Sequence, residues 1–224
     1  MEGLLKSEID KLLQARQARN KSIGAFPQVS IKGFSVQDPT FDLVDAKKFD
    51  TPVVPKGSGT VTYVNSNGYD LHFVDYDFYL SAFDSSRYSR NLGRCDYVAF
   101  DVDGRCDYFI LDELCEGALQ NKKQEGINQL AVTLQFLRGS TSLTTAMDSY
   151  KNRVCYLSVK ERLIASPQGM ADAFNNPLQI IPPIYTLNDR RIGNCGFDAY
   201  AACRIVLDGN TVNAQPLPKR KQNL

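Results

Sequence analysis

The sequence predicts an α+β (or α/β) protein with a central mixed β-sheet and flanking helices, and three observations carry that reading. A helical stripe opens the chain, short alternating segments broken by Gly, Pro and Asn follow it, and a second helical stripe comes after two β-rich runs. The β-rich runs bear an Asp and a Glu.

Leu5, Ile9, Leu12 and Leu13, with Arg16, recur at helical spacing, so the first element is a helix that docks one stripe on the main sheet. From Gln28 to Val64 the signals turn short and extended. Val29 and Ile31 alternate, Gly33 breaks the phase, Phe34 and Val36 resume it, and Thr60 to Val64 alternates again. Asn65 to Gly68 makes a turn, and the aromatic run Tyr69 to Phe83 reads as a strand passing into a less regular segment. Cys95 to Phe100 and Asp107 to Leu114 flank Val102-Asp103-Gly104-Arg105, a hairpin signal in which Gly104 tolerates a positive φ. Ile127, Leu130, Ala131, Leu134 and Leu137 then define the clearest amphipathic helix, with Lys122 and Lys123 at its start. Arg153 to Val159 reads as a strand, Ser166-Pro167 caps a short helix through Phe174, and Pro177 to Tyr185 is extended and apolar. Asp198 to Leu207 fits strand or helix.

The chain has 224 residues and 43% hydrophobic residues, enough for an ordinary core without staples. No linker or repeat divides it, so residues 1–215 are expected to form one domain and 216–224, with Lys219, Arg220 and Lys221, a flexible basic tail. Twenty-six basic against 25 acidic residues give a net charge of +1, so nucleic acid is contacted through a local patch or not at all. The six cysteines form no CxxC pair and His72 is the sole imidazole, which argues against structural zinc. Met1 to Asn20 reads as a charged amphipathic helix and not as a signal peptide, so the expected setting is cytoplasmic, with reduced thiols. No apolar run approaches the roughly 20 residues that span a bilayer, so no membrane partner is expected. Nothing in the sequence sets the oligomeric state.

A two-residue turn at Asp103-Gly104 would set Asp96 opposite Leu111 and place Glu113 diagonally from Asp96 on the same face. Diagonal neighbours lie about 7–8 Å apart, near enough for two carboxylates to share one hard cation. Here "CDYVAFDVDGRCDYFILDELCEG" followed by "KKQEGINQLAVTLQFL" resembles the core of the PD-(D/E)XK nuclease superfamily, over Cys95 to Leu137, under a fifth of the chain. The resemblance implies a restriction-endonuclease-like core in which Asp96 and Glu113 hold Mg²⁺ or Mn²⁺ and Gln129 orients substrate or water. DNA or RNA is the implied substrate. The chain departs from that family where Cys115 replaces its lysine, a group that activates water or neutralises the phosphate. Lys123, four residues before Ile127 on the helical stripe, is the expected replacement. The alternative is a non-catalytic binding or assembly module with a protein partner, in which the same core carries no chemistry.

Other motifs compete for chemistry. Phe100 to Gly104, "FDVDG", resembles the haloacid-dehalogenase nucleophile motif, which implies Asp101 as nucleophile and Asp103 as acid/base. Arg105 replaces the usual Thr and a strand follows where that fold needs a loop and helix, so a turn accounts for it better. "GNCGF", Gly193 to Phe197, resembles the "DCGxF" segment of ubiquitin-like-protein-specific proteases, which implies a Cys195–His72 pair with Asp84 as orienting acid. Asn194 stands where that segment has Asp. The aromatic run could stack bases and Arg87, Arg90 and Arg94 could meet phosphates, although core packing and solvated charge are the commoner uses.

Overall fold

The computed structural model describes residues 1–17, 25–44, 53–54, 60–83, 88, 91–115, 119–159 and 184–210. The elements run α1 (Glu2–Gln17), β1 (Gly33–Val36), β2 (Thr40–Leu43), β3 (Val53–Val54), β4 (Val61–Val64), β5 (Leu71–Asp75) and α2 (Tyr76–Ser81). They continue with β6 (Tyr97–Asp101), β7 (Tyr108–Cys115), α3 (Leu119–Leu137), α4 (Thr141–Asp148), β8 (Asn152–Val159), β9 (Tyr185–Thr186), α5 (Arg190–Asn194), β10 (Asp198–Ala202) and β11 (Arg204–Val206).

Seven strands form a mixed sheet in the order β1-β5-β6-β7-β8-β10-β9. β1, β5, β6 and β7 are antiparallel neighbours, whereas β7–β8 and β8–β10 are parallel. A parallel step requires a long crossover, and α3 with α4 supplies it between β7 and β8. The fold is therefore α+β, with helices on one face of the sheet. Leu5, Ile9 and Leu13 of α1, and Leu130, Ala131, Leu134 and Leu137 of α3, are fully buried against Val98, Phe100, Phe109 and Leu111. Ser140 fastens two of these helices, since its hydroxyl accepts from Leu143 N–H at the start of α4 and donates to Glu8 of α1 at 2.7 Å.

A small sheet in the order β11-β4-β2-β3 covers the opposite face. Tyr63, Phe41 and Ile205 from it pack on Phe73, Tyr97, Tyr108 and Ile110. β6 and β7 are thus covered on both faces, which is why both read as near-continuous apolar runs.

The structure corrects some expectations and decides between the alternatives left open in Asp198 to Leu207. The segment after β5 is helical, because Asp75 accepts from the Phe78 N–H at 2.9 Å and caps α2. Asp198 to Leu207 is two strands in two sheets, joined at Cys203, whose carbonyl accepts from Thr62 N–H. The hairpin connection is not a two-residue turn but the six residues 102–107. Gly104 does take φ +85°, yet Cys106 is also left-handed at +52° and Asp101 Oδ1 accepts from Tyr108 N–H, which widens the loop. The expected helix over 166–174, the apolar segment 177–183 and the tail 216–224 lie outside the described residues.

Candidate functional site

The wider loop shifts the register of the hairpin by two residues. Val98 faces Leu111 and Tyr97 faces Asp112, and continuing that register one step past the end of β6 brings Asp96 toward Glu113, whose carboxyl feels the Asp96 charge. A two-residue shift keeps every side chain on its face, and directly opposed residues stand about 4.5–5.5 Å apart at Cβ, closer than diagonal ones. Both carboxylates belong to the helix-covered face, with Val98 and Phe100 on one strand and Leu111 and Cys115 on the other.

Asp96 is held from several sides. Its Oδ2 accepts from Leu114 N–H at 2.7 Å, and its carbonyl accepts from Tyr76 N–H at the start of α2. Helix α3 clamps the preceding residues: Gln129 Oε1 accepts from Arg94 N–H at 2.9 Å and Thr133 Oγ1 from Cys95 N–H at 3.2 Å. Gly93 is required there, because a Cβ would stand 2.4 Å from the Gln129 carbonyl oxygen. Gln129 therefore positions the strand that carries Asp96, with its amide oxygen engaged on backbone.

Glu113 is less settled. Its Oε2 is shut off from water and has no hydrogen-bond partner among the described residues. Burial raises its pKa far above the ordinary carboxylate range, and the charges of Asp96, Asp112 and Asp77 raise it further. Neighbouring carboxylates repel unless a proton or a cation intervenes. Among the described residues no group of three or more His, Cys, Asp or Glu is gathered as a ready metal cage.

A cavity of about 200 Å³ opens beside Glu113, between β7, β8 and the start of α3. Cys115, Lys122, Glu125, Gly126 and Leu157 complete its wall with Leu114. Lys122, not Lys123, is the cation here. Its ammonium meets Glu125 at 2.8 Å, and Glu125 raises its pKa, with smaller contributions from Cys115 and Glu113. Lys123 is exposed and does not line the cavity. The periodicity that pointed to Lys123 follows the buried stripe from Ile127. The cavity lies beside that stripe, where Gly126 stands one turn beyond Lys122. Burial raises the Cys115 thiol, so it stays neutral and does not replace a lysine.

The sequence reading missed Asp112, which the pleat sends to the other face. There Tyr63 donates to it at 2.6 Å and Ser158 at 2.5 Å, all three buried between the two sheets. Burial still pushes its pKa up, to about 6, against the lowering effect of both hydroxyls.

The competing motifs separate in space. Cys195 caps the C-terminus of α5 and lies near Cys155 of β8, three strand spacings, roughly 14 Å, from the β5 strand of His72. Both His72 ring nitrogens are engaged by Ser35 and Glu2, and burial raises the Cys195 thiol. A Cys195–His72 dyad is thereby excluded; Asp84 lies outside the described residues. Asp101 and Asp103 serve the loop, accepting from Tyr108 and Arg105 N–H groups. Tyr76, Tyr79 and Phe83 of the aromatic run are core. Arg87 and Arg90 lie outside the described residues, and Arg94 approaches β6 beside α3.

Fold and site together define an α+β protein with a mixed seven-stranded sheet and a cavity lined by Glu113, whose carboxyl lies near Asp96 on the neighbouring strand. Comparison with protein families, with curated proteins and with solved structures finds no match. No helix among the described residues is long and apolar enough to cross a membrane.

Proposed function

We propose that this protein holds a divalent cation, Mg²⁺ or Mn²⁺, on Asp96 and Glu113 and hydrolyses a phosphodiester bond of DNA or RNA. The observation that carries the reading is Glu113 Oε2, buried without a partner among the described residues and beside a second carboxylate. Such an arrangement is costly as it stands, and a hard cation relieves it. The donor set suits these ions, since Mg²⁺ is usually held by one or two carboxylates with water and phosphate oxygens completing its shell. When bound, the ion supplies a Lewis acid for the phosphoryl group and a more acidic water.

The chain's own residues supply the rest. Leu114 N–H fixes Asp96, and Gln129 and Thr133 fix the strand behind it. Lys122 faces Glu113 across the cavity and neutralises charge that develops on a phosphate, a role Cys115 cannot fill. Its pairing with Glu125 holds the ammonium at the cavity mouth until substrate competes for it.

Purified protein with Mn²⁺ is expected to nick single-stranded, double-stranded or branched DNA or RNA, and chelation to stop it. Glu113→Gln and Lys122→Met each reduce cleavage, while Lys123→Met leaves it unchanged. Cleavage that persists in Glu113→Gln contradicts the reading. Mn²⁺ binding with no cleavage of any substrate establishes the non-catalytic binding module instead.

A further inference from the structure

Ser35 of β1 and His72 of β5 are cross-strand partners at the edge of the large sheet. Ser35 Oγ lies 3.0 Å from His72 Nδ1, and His72 Nε2 lies 2.5 Å from Glu2 Oε2 at the start of α1. In the neutral ring one tautomer serves both contacts. Nε2–H donates to the Glu2 carboxylate, which leaves the Nδ1 lone pair to accept from the Ser35 hydroxyl. Gly33 makes the contact possible, because a Cβ there would stand 2.5 Å from His72 Nε2 and 2.7 Å from Glu2 Oε2. The Phe100 ring, its centroid 5.5 Å from that of the imidazole, covers the histidine from the next strand. Ser35 is exposed, whereas the His72 side chain retains 17% of its accessibility. His72 pairs with Phe100, four residues along β6 from Asp96, which puts it about 13 Å from the carboxylate pair.

A hydroxyl nucleophile within hydrogen-bond reach of a base, with that base oriented by a third group, is the arrangement of covalent acyl transfer. We propose that Ser35, His72 and Glu2 form a nucleophile, base and orienting acid that accept an acyl group from small, unhindered esters. Ser35 Oγ attacks the ester carbonyl carbon while its proton passes to His72 Nδ1, and Glu2 stabilises the imidazolium. The C–O bond to the alcohol then breaks, the alcohol leaving with the proton from His72. Water, deprotonated by the same histidine, releases the carboxylic acid and restores the serine. The exposed strand edge favours short acyl donors over ones that need a deep recess.

The test uses the full chain with p-nitrophenyl acetate and a fluorophosphonate probe. The expected result is hydrolysis with covalent labelling, and peptide mass spectrometry that maps the adduct to Ser35. Ser35→Ala abolishes labelling. His72→Gln lowers the rate by about 100-fold with an unchanged circular dichroism spectrum. Glu2→Gln lowers it as well and alters its pH profile, which a purely structural contact would not do. A wild-type chain that is not labelled, or is labelled elsewhere, overturns the proposal, as does undiminished hydrolysis by Ser35→Ala. The wild-type adduct decides the matter even if a variant folds poorly.

Discussion

On β7, Asp112 and Glu113 are consecutive carboxylates, both drawn out of water, and the pleat sends them to opposite faces of one strand. Asp112 meets two hydroxyls, one from the small sheet and one from β8, and so ties the layers together. Glu113 meets another carboxylate and a cavity, with one oxygen unpartnered among the described residues. Burial alone does not mark a functional acid. What separates the two is whether the surroundings complete the hydrogen bonds of the group, and of this pair Glu113 is the one whose bonds the described residues leave incomplete.

The sharpest way to break this contrast is to remove each acid in turn. Asp112→Ala strands the Tyr63 and Ser158 hydroxyls between two sheets, and should cost on the order of 3 kcal/mol in denaturant unfolding. A loss near zero would show that the pair of hydroxyls is not what holds the small sheet. Glu113→Gln should do the reverse in chelator, raising stability by about 1 kcal/mol near neutral pH, because the folded chain no longer has to keep a buried acid protonated above its ordinary titration range. A destabilised Glu113→Gln would mean that the glutamate has a structural partner after all.

The pH dependence carries the same contrast. Each acid titrates higher folded than unfolded, so the folded chain binds more protons and stability falls as pH rises through the interval between the two values. For Asp112 that interval runs from the ordinary aspartate value of 3.8 to about 6. For Glu113 it begins at the ordinary glutamate value and extends well above the Asp112 range. Subtracting the stability curve of Asp112→Asn from that of the wild type should isolate the lower interval, and Glu113→Gln the higher one. Matching difference curves would erase the distinction. The smallest effect belongs to Gly126→Ala, whose Cβ would crowd Leu157 Cδ1 at 2.5 Å and touch Glu113 Cγ at 3.5 Å. A rotation of the leucine offsets part of a helix-propensity gain of about 1 kcal/mol, so stability changes little while Mn²⁺ binding weakens. Unchanged Mn²⁺ affinity in that variant would place the ion away from this wall.

Much of this was legible in the residues. The stripe Ile127 to Leu137 marked α3, and the apolar runs around Asp103-Gly104 marked β6 and β7. The Asp-Gly signal named a turn but not its length, because loop width depends on Asp101 reaching Tyr108 N–H, a contact across the hairpin. The two-residue difference preserved the faces, so Asp96 and Glu113 still stand on one side. The Asp75 cap of α2 was readable and was masked by the density of aromatics around it. The small sheet was not readable, since it joins β2, β3 and β4 to β11 across most of the chain. Lys122 differs from Lys123 by one residue, a turn of about 100° on a helix. Only the position of the cavity decides between them.

The proposed cation belongs to Glu113 and Asp96 and not to the neighbouring Asp112. Calorimetric titration of metal-free protein with Mn²⁺ tests it most directly. One ion should bind per wild-type chain, with binding lost in Asp96→Asn and Glu113→Gln and retained in Asp112→Asn. Binding that survives Glu113→Gln, or that vanishes in a folded Asp112→Asn, would contradict the account.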